Sequence, residues 1–245
     1  MTGLSIDQVT QRILKWFAVD DTQVASILEK IRAELPTTEA WLIGKPQSGK
    51  SSVVRGLTGV SADIIGQGFR PHTQHTQRYA YPSVDLPLLL FTDTVGLGDV
   101  DRNVESILEE LQTDLDQQAR GARILLVTVK VNDFAIDSLH QILRGIRAQH
   151  PAIPVGLIVT CLHELYPTGA EHSPYPPIQT SVQRAFGELK RSFDGLIDSA
   201  VLIDFTLEED GYTPVFYGLE ALLSILSEQL PEAESTAIYQ LLDQT

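Results

Sequence analysis

Eight residues, Gly44-Lys45-Pro46-Gln47-Ser48-Gly49-Lys50-Ser51, follow the pattern G-x-x-x-x-G-K-[ST]. Its two glycines let the backbone wrap so closely that successive N–H groups point at phosphate oxygens. Lys50 adds a positive charge there, and the Ser51 hydroxyl is a ligand for Mg²⁺. The apolar run Ala40-Trp41-Leu42-Ile43 precedes the loop, and Ser52-Val53-Val54-Arg55-Gly56-Leu57 follows with helical spacing. The loop therefore joins a strand to a helix, which is the setting that phosphate binding of this kind requires.

Asp93-Thr94-Val95-Gly96 stands at the end of a second apolar strand. A nucleotide-hydrolysing loop protein needs an acid there for Mg²⁺ and a backbone N–H for the γ-phosphate, and Asp93 and Gly96 fit those roles. Between the two motifs a Thr is expected to complete the Mg²⁺ shell when the γ-phosphate is present. Thr73 and Thr76 are the candidates, with Thr76 favoured because it lies nearer the next strand. His72 and His75 flank them, but a bare His-x-x-His in a polar loop lacks the further ligands of a zinc site and reads as solvated. The same holds for Cys161, His163 and His172, since thiolate zinc sites usually bring more than one Cys.

The elements that must hold these residues alternate. Strands are expected at 77–81, 86–92, 124–131, 155–160 and 200–205, besides the one before the phosphate loop. Helices are expected after the phosphate loop and at 104–119, 138–149, 180–192 and 219–229. Strands alternating with helices imply an α/β fold, a mostly parallel sheet with helices on both faces, and the hairpin at 77–92 supplies one antiparallel edge. Residues 1–36 read as a helical hairpin, with Ile6, Val9, Ile13, Trp16 and Phe17, then Val24, Ile27, Leu28, Ile31 and Leu35, marking apolar faces. That hairpin either packs on the nucleotide domain at 37–230 or docks on a protein effector or a second copy. Pro231 opens a short C-terminal helix at 231–245.

Composition narrows the partners. A formal net charge of −14 argues against broad affinity for nucleic-acid backbone or anionic lipid, so positive potential must be concentrated at the loop. One cysteine, Cys161, rules out an internal disulfide and suits a reducing cytoplasm. The N-terminus lacks a basic start followed by an apolar stretch, and no run approaches the roughly 18 apolar residues of a membrane span.

The order of phosphate loop, Pro71-x-Thr73-x-x-Thr76 and Asp93-Thr94-x-Gly96-Leu97-Gly98 resembles P-loop GTPases of the translation-factor class, on the bacterial Era-like and dynamin-like branch. The stretches 66–76 and 91–98 are similar to the 50S-ribosome-binding type of GTPase domain. The resemblance implies a six-stranded mixed sheet with nucleotide at the carboxyl ends of the strands, GTP and GDP as ligands, and a switch of partners on hydrolysis. It also implies a base pocket at Thr160, Leu162, His163 and Glu164, with Phe205 and Thr206 of Asp204-Phe205-Thr206 on its other side. Two departures stand out. Where guanine-selective relatives carry Asn-Lys-x-Asp, this chain has Thr160-Cys161-Leu162-His163, and a His cannot be the two-pronged acceptor that an Asp is; Glu164, or Thr160 and the backbone, are the alternatives. Leu97 stands where many relatives orient the attacking water with Gln, so hydrolysis is expected to be slow unless a partner, a second copy across the nucleotide site or K⁺ completes it. Gln47 matches the Asn that helps hold K⁺ in cation-activated relatives.

Overall fold

Thr38–Gly44 is buried at every one of its seven positions, on both faces of the chain, as a strand in the middle of a covered parallel sheet must be. It is β1 of a computed structural model that describes residues 38–58, 70–71, 76–81, 89–94, 103–117 and 122–231. The chain continues through α1 (Lys50–Thr58), β2 (Arg70–Pro71), β3 (Thr76–Tyr81), β4 (Leu89–Thr94), α2 (Val104–Gln117) and β5 (Ala122–Lys130). Then come α3 (Asp137–Gln149), β6 (Val155–Thr160), α4 (Thr180–Ser192), β7 (Ser199–Leu202), β8 (Asp204–Phe205), β9 (Phe216–Tyr217) and α5 (Leu219–Gln229).

Seven strands form the main sheet in the order β2-β3-β4-β1-β5-β6-β7. Strands β4, β1, β5, β6 and β7 run parallel, while β3 is antiparallel to β4 and β2 to β3. The chain builds outward from β1 in both directions, so β1 sits where strand order reverses. In open α/β sheets that point opens a crevice beyond the carboxyl ends of the strands, where ligands bind. The phosphate loop leaves β1 into that crevice.

Helical spacing decides which side chains close the core. On α3 the buried residues are Leu139, Ile142, Leu143 and Ile146, a single stripe at i, i+3, i+4 and i+7. This stripe, with Ile107, Leu111 and Leu115 of α2 and Val182, Ala185 and Leu189 of α4, packs against Trp41, Ile43, Leu125, Val127, Val129 and Leu157. Leu42, Ile124, Leu126 and Ile158 point to the opposite face and are equally buried. There α1 brings Val53 and Leu57, and a Cβ at Gly156 would touch both Leu126 and Gln229 of α5.

Among the described residues the sheet has seven strands, where the family resemblance implied six, and the strand at that edge is β2 and not the hairpin strand at 77–81. The extra strand is two residues long and lies in a polar stretch without periodicity; Pro71 has no N–H to donate and is at home only on such an edge. The single strand expected at 200–205 divides. Its first half pairs with β6, and Asp204–Phe205 turns away to pair antiparallel with Phe216–Tyr217. The hairpin at 1–36, all but Pro231 of the helix expected at 231–245, and residues Thr73, Gly96 and Leu97 lie outside the described residues.

Candidate functional site

The phosphate loop is held from below by buried hydroxyls. Thr128, in the middle of β5 and fully buried, shares a 2.7 Å hydrogen bond with the Ser48 hydroxyl. Thr160, the last residue of β6, donates from Oγ1 to the Ser48 carbonyl at 2.9 Å. Gly49 adopts φ +87°, which a side chain would resist, and the place of its missing Cβ is 3.2 Å from the Thr160 methyl. Gln47 also lies in the left-handed region, at φ 61°. With Pro46 it forms the exposed rim of the loop, where an amide could meet a cation.

The cations are arranged around that frame. Lys50 begins α1 and lays its ammonium on the loop's own carbonyls, 2.9 Å from Gly44 and 3.1 Å from Lys45. Lys45 is paired at 2.9 Å with Asp133, just beyond β5. Ser51 is exposed and Ser52 half-buried in the first turn of α1, so the Ser51 hydroxyl faces out beside Lys50. One strand over, Asp93 is in register with Leu42 of β1 and with Gln77 of β3. Thr76 opens β3 opposite Thr94. The backbone thus carries Asp93 and Thr76 to the sheet edge from which the phosphate loop emerges.

The proposed base side is built from the turn after β6 and the β7–β8 corner. Cys161 sits in the left-handed region at φ 56°, and Leu162–Leu165 then forms one 3₁₀ turn whose Leu162 is fully buried. That turn is pinned by Asp204, whose side chain is 1% exposed. Asp204 accepts the His163 backbone N–H at 2.7 Å and lies 2.8 Å from His163 Nδ1. Burial pushes the Asp204 carboxyl up from its usual range, and contact with His163 offsets only part of this. Glu164 turns the other way. One of its oxygens takes the Lys130 ammonium and the other the Asn132 amide, each at 2.7 Å. Burial raises its proton affinity, but those two donors outweigh burial and hold the carboxyl below its usual range. Phe205 packs against Gly56 of α1, and Thr206 is buried, its carbonyl accepting from Arg55. The Cys161 thiol is pushed up by burial and stays protonated at neutral pH. Among the described residues no group of three or more His, Cys, Asp and Glu is arranged to hold a metal.

Residues 39–160, which include the loop, Asp93 and the strand that ends in Thr160, match the family described as 50S ribosome-binding GTPase. The chain carries a P-loop GTPase domain. Among curated proteins none matches the sequence. Solved structures of the same fold include the LeoA bacterial dynamin GTPase from ETEC, at 16% identity and TM-score 0.54 over 92% of this chain and 40% of that one. Era, solved with MgGDPNP and nucleotides 1506–1542 of 16S ribosomal RNA, shares 16% identity and TM-score 0.52 over 81% of this chain and 58% of its own. The bacterial selenocysteine-specific elongation factor EF-Sec shares 14% identity and TM-score 0.50 over 80% of this chain. This chain spans 40%, 58% and 28% of the length of those three structures, less than two thirds of each.

Thr128, Asp133 and Asp204 of the GTPase domain are supports beyond those the motifs name, and the first and last carry a signal in the sequence. Thr128 and Asp204 are polar residues inside otherwise apolar strands, where an unpaired polar group would cost free energy. Replacing Thr160 with Val keeps shape and removes the tether to Ser48. A buried hydrogen bond of this kind is worth about 1 kcal/mol, so nucleotide affinity should fall by roughly fivefold in a titration that compares Thr160→Val with the parent chain.

Aromatic rings back the 3₁₀ turn of the GTPase domain. His172 stacks on Tyr217 with centroids 4.3 Å apart and an interplanar angle of 11°, and its Nδ1 meets the Tyr166 hydroxyl at 3.0 Å. Burial, assisted by the nearby His163, lowers the His172 pKa to about 4. The folded protein thus keeps His172 neutral where the unfolded chain, with a pKa near 6.5, takes up a proton. Stability is therefore lost as pH falls from about 6.5 towards 4. His172→Phe should flatten that decline, read as the difference in urea midpoint between pH 7 and pH 4.5; an unchanged decline would show that other groups cause it.

Proposed function

We propose that this chain is a Mg²⁺-dependent GTP-binding switch that hydrolyses GTP slowly, and that γ-phosphate orders the segments at 59–76 and 97–102. The observation that carries the reading is the phosphate loop itself, braced by Thr128 and Thr160 at the carboxyl edge of a parallel sheet within a GTPase family match. The N–H groups of Lys45 and of Gln47 to Ser51, with the Lys50 ammonium, neutralise the β- and γ-phosphates. An oxygen donor set suits Mg²⁺: the Ser51 hydroxyl is exposed beside the loop and Asp93 lies on the adjoining strand, with Thr76 or Thr73 completing it. Mg²⁺ supplies charge neutralisation between the phosphates when bound. Gly96 offers its N–H to the γ-phosphate, and the setting is a bacterial cytoplasm.

Leu97 at the water site supports slow intrinsic turnover, raised by an effector, by a second copy across the nucleotide or by K⁺ near Gln47. It equally suits a nucleotide-gated scaffold that does not hydrolyse, with the segment at 1–36 recruiting a partner. Single-turnover hydrolysis at saturating GTP, with and without KCl, separates these. We expect measurable GDP formation that KCl accelerates. Equal rates in both salts would remove the cation from the account, and no GDP at all would leave the scaffold. A second reading, a P-loop ATPase with relaxed base specificity, starts from His163 standing where guanine-selective relatives have a carboxylate; GTP and ATP competing equally for the site would establish it.

A further inference from the structure

On the proposed base side, the pair His163 and Asp204 is not used by the phosphate chemistry, and this inference rests on the proposed nucleotide-binding function. His163 is fixed on two sides. Its backbone N–H and its ring Nδ1 both meet the carboxylate of Asp204, at 2.7 Å and 2.8 Å. The Tyr212 ring lies alongside, 5.1 Å away and tilted by 31°, so the imidazole plane is set as well.

Asp204 is 1% exposed and the His163 side chain 30% exposed. The ring edge tied to Asp204 is the buried one, so the exposed part is the opposite edge, which carries Nε2. With the ring proton on Nδ1 and directed at the Asp204 carboxylate, which accepts it, the neutral imidazole leaves a bare lone pair on Nε2. Among the described side chains, the two carboxylates nearest this edge are drawn elsewhere: Glu164 takes Lys130 and Asn132, one on each oxygen, and Asp204 is behind the imidazole.

We propose that His163 reads the base through a single acceptor, Nε2, and that the site therefore takes 6-oxopurine nucleotides without reading the 2-amino group. Guanine and hypoxanthine both present N1–H and both satisfy that acceptor. The guanine 2-amino group has no partner that hypoxanthine would leave unpaired, so the usual penalty for the missing group does not arise. Adenine presents a lone pair at N1, which meets the lone pair of Nε2. Asp204 is a positioning residue: it selects the tautomer that makes His163 an acceptor.

The test is competition of GTP, inosine triphosphate and ATP against a fluorescent GDP analogue on the full chain with Mg²⁺. GTP and inosine triphosphate should bind within about threefold of each other, and ATP at least tenfold more weakly. In Asp204→Asn the amide donates to Nδ1, the proton moves to Nε2, and the acceptor becomes a donor. Both 6-oxopurine nucleotides should then weaken by tenfold or more while ATP does not. His163→Phe keeps a ring against Tyr212 and removes the polar edge, so the three nucleotides should converge even if Asp204→Asn fails to fold. The proposal is overturned if GTP binds more than tenfold tighter than inosine triphosphate, or if His163→Phe leaves the ranking unchanged. Absence of binding by all three would instead remove the nucleotide-binding function on which it rests.

Discussion

Lys50→Ala is expected to abolish nucleotide binding while leaving the fold standing. In the structure the ammonium rests on the Gly44 and Lys45 carbonyls, so it is already poised over the hollow of the loop. Those two bonds are partly exposed and neutral at one end, and losing them should change stability by no more than about 1 kcal/mol. Against a triphosphate the same group makes charge-assisted bonds to an anion that the acidic surface of the chain, with its net charge of −14, otherwise repels. Removing a cation from such a pair costs about 3 kcal/mol or more, a loss of at least roughly 100-fold in affinity. Calorimetric titration with GTP and a thermal melt of the same variant read the two quantities separately. Retained affinity, or a melt that collapses along with affinity, would count against this assignment.

Gly44→Ala is expected to damage both fold and site. Gly44 is in register with Thr128 on the neighbouring strand. A Cβ there would lie 2.2 Å from the Thr128 hydroxyl, 2.4 Å from the Ser48 hydroxyl and 2.6 Å from the Thr128 carbonyl. The hydroxyls could rotate away only by giving up their mutual hydrogen bond, and the carbonyl belongs to a buried strand that cannot move alone. Overpacking of this kind costs about 3 kcal/mol, and the loop loses the brace that sets its curvature. Urea unfolding should show the loss, and GTP should no longer raise the midpoint. Gly187→Ala on α4 is the matched control. Nothing lies within 4 Å of its added methyl, so the change should stabilise by roughly 0.5–1 kcal/mol.

The phosphate loop was legible in the sequence because its chemistry is local: the glycines, Lys50 and Ser51 are neighbours in the chain. The strand at 155–160 and the helix at 180–192 are equally plain, since a short apolar run rich in Val and Ile that follows Pro154 reads as a buried strand and an i, i+3, i+7 stripe as a helix. What could not be read was long-range pairing of polar groups. Nothing near Asp204 in the sequence says that it will hold His163, 41 residues away, or that Glu164 will be spent on Lys130. A strand of two residues such as Arg70–Pro71 has no period to detect. The split of the expected strand at 200–205 follows from the same buried carboxylate, since Asp204 must reach the turn after β6 while Phe205 packs on Gly56.

The central claim is that Gly44 to Ser51 cradles the phosphates of a nucleoside triphosphate, and a co-crystal with Mg²⁺ and a non-hydrolysable GTP analogue tests it most directly. The account predicts β- and γ-phosphates on the N–H groups of the loop, Lys50 turned from the Gly44 and Lys45 carbonyls onto them, and the base edge at His163. An analogue bound elsewhere, or a loop that keeps Lys50 on its own carbonyls with the analogue present, would contradict it.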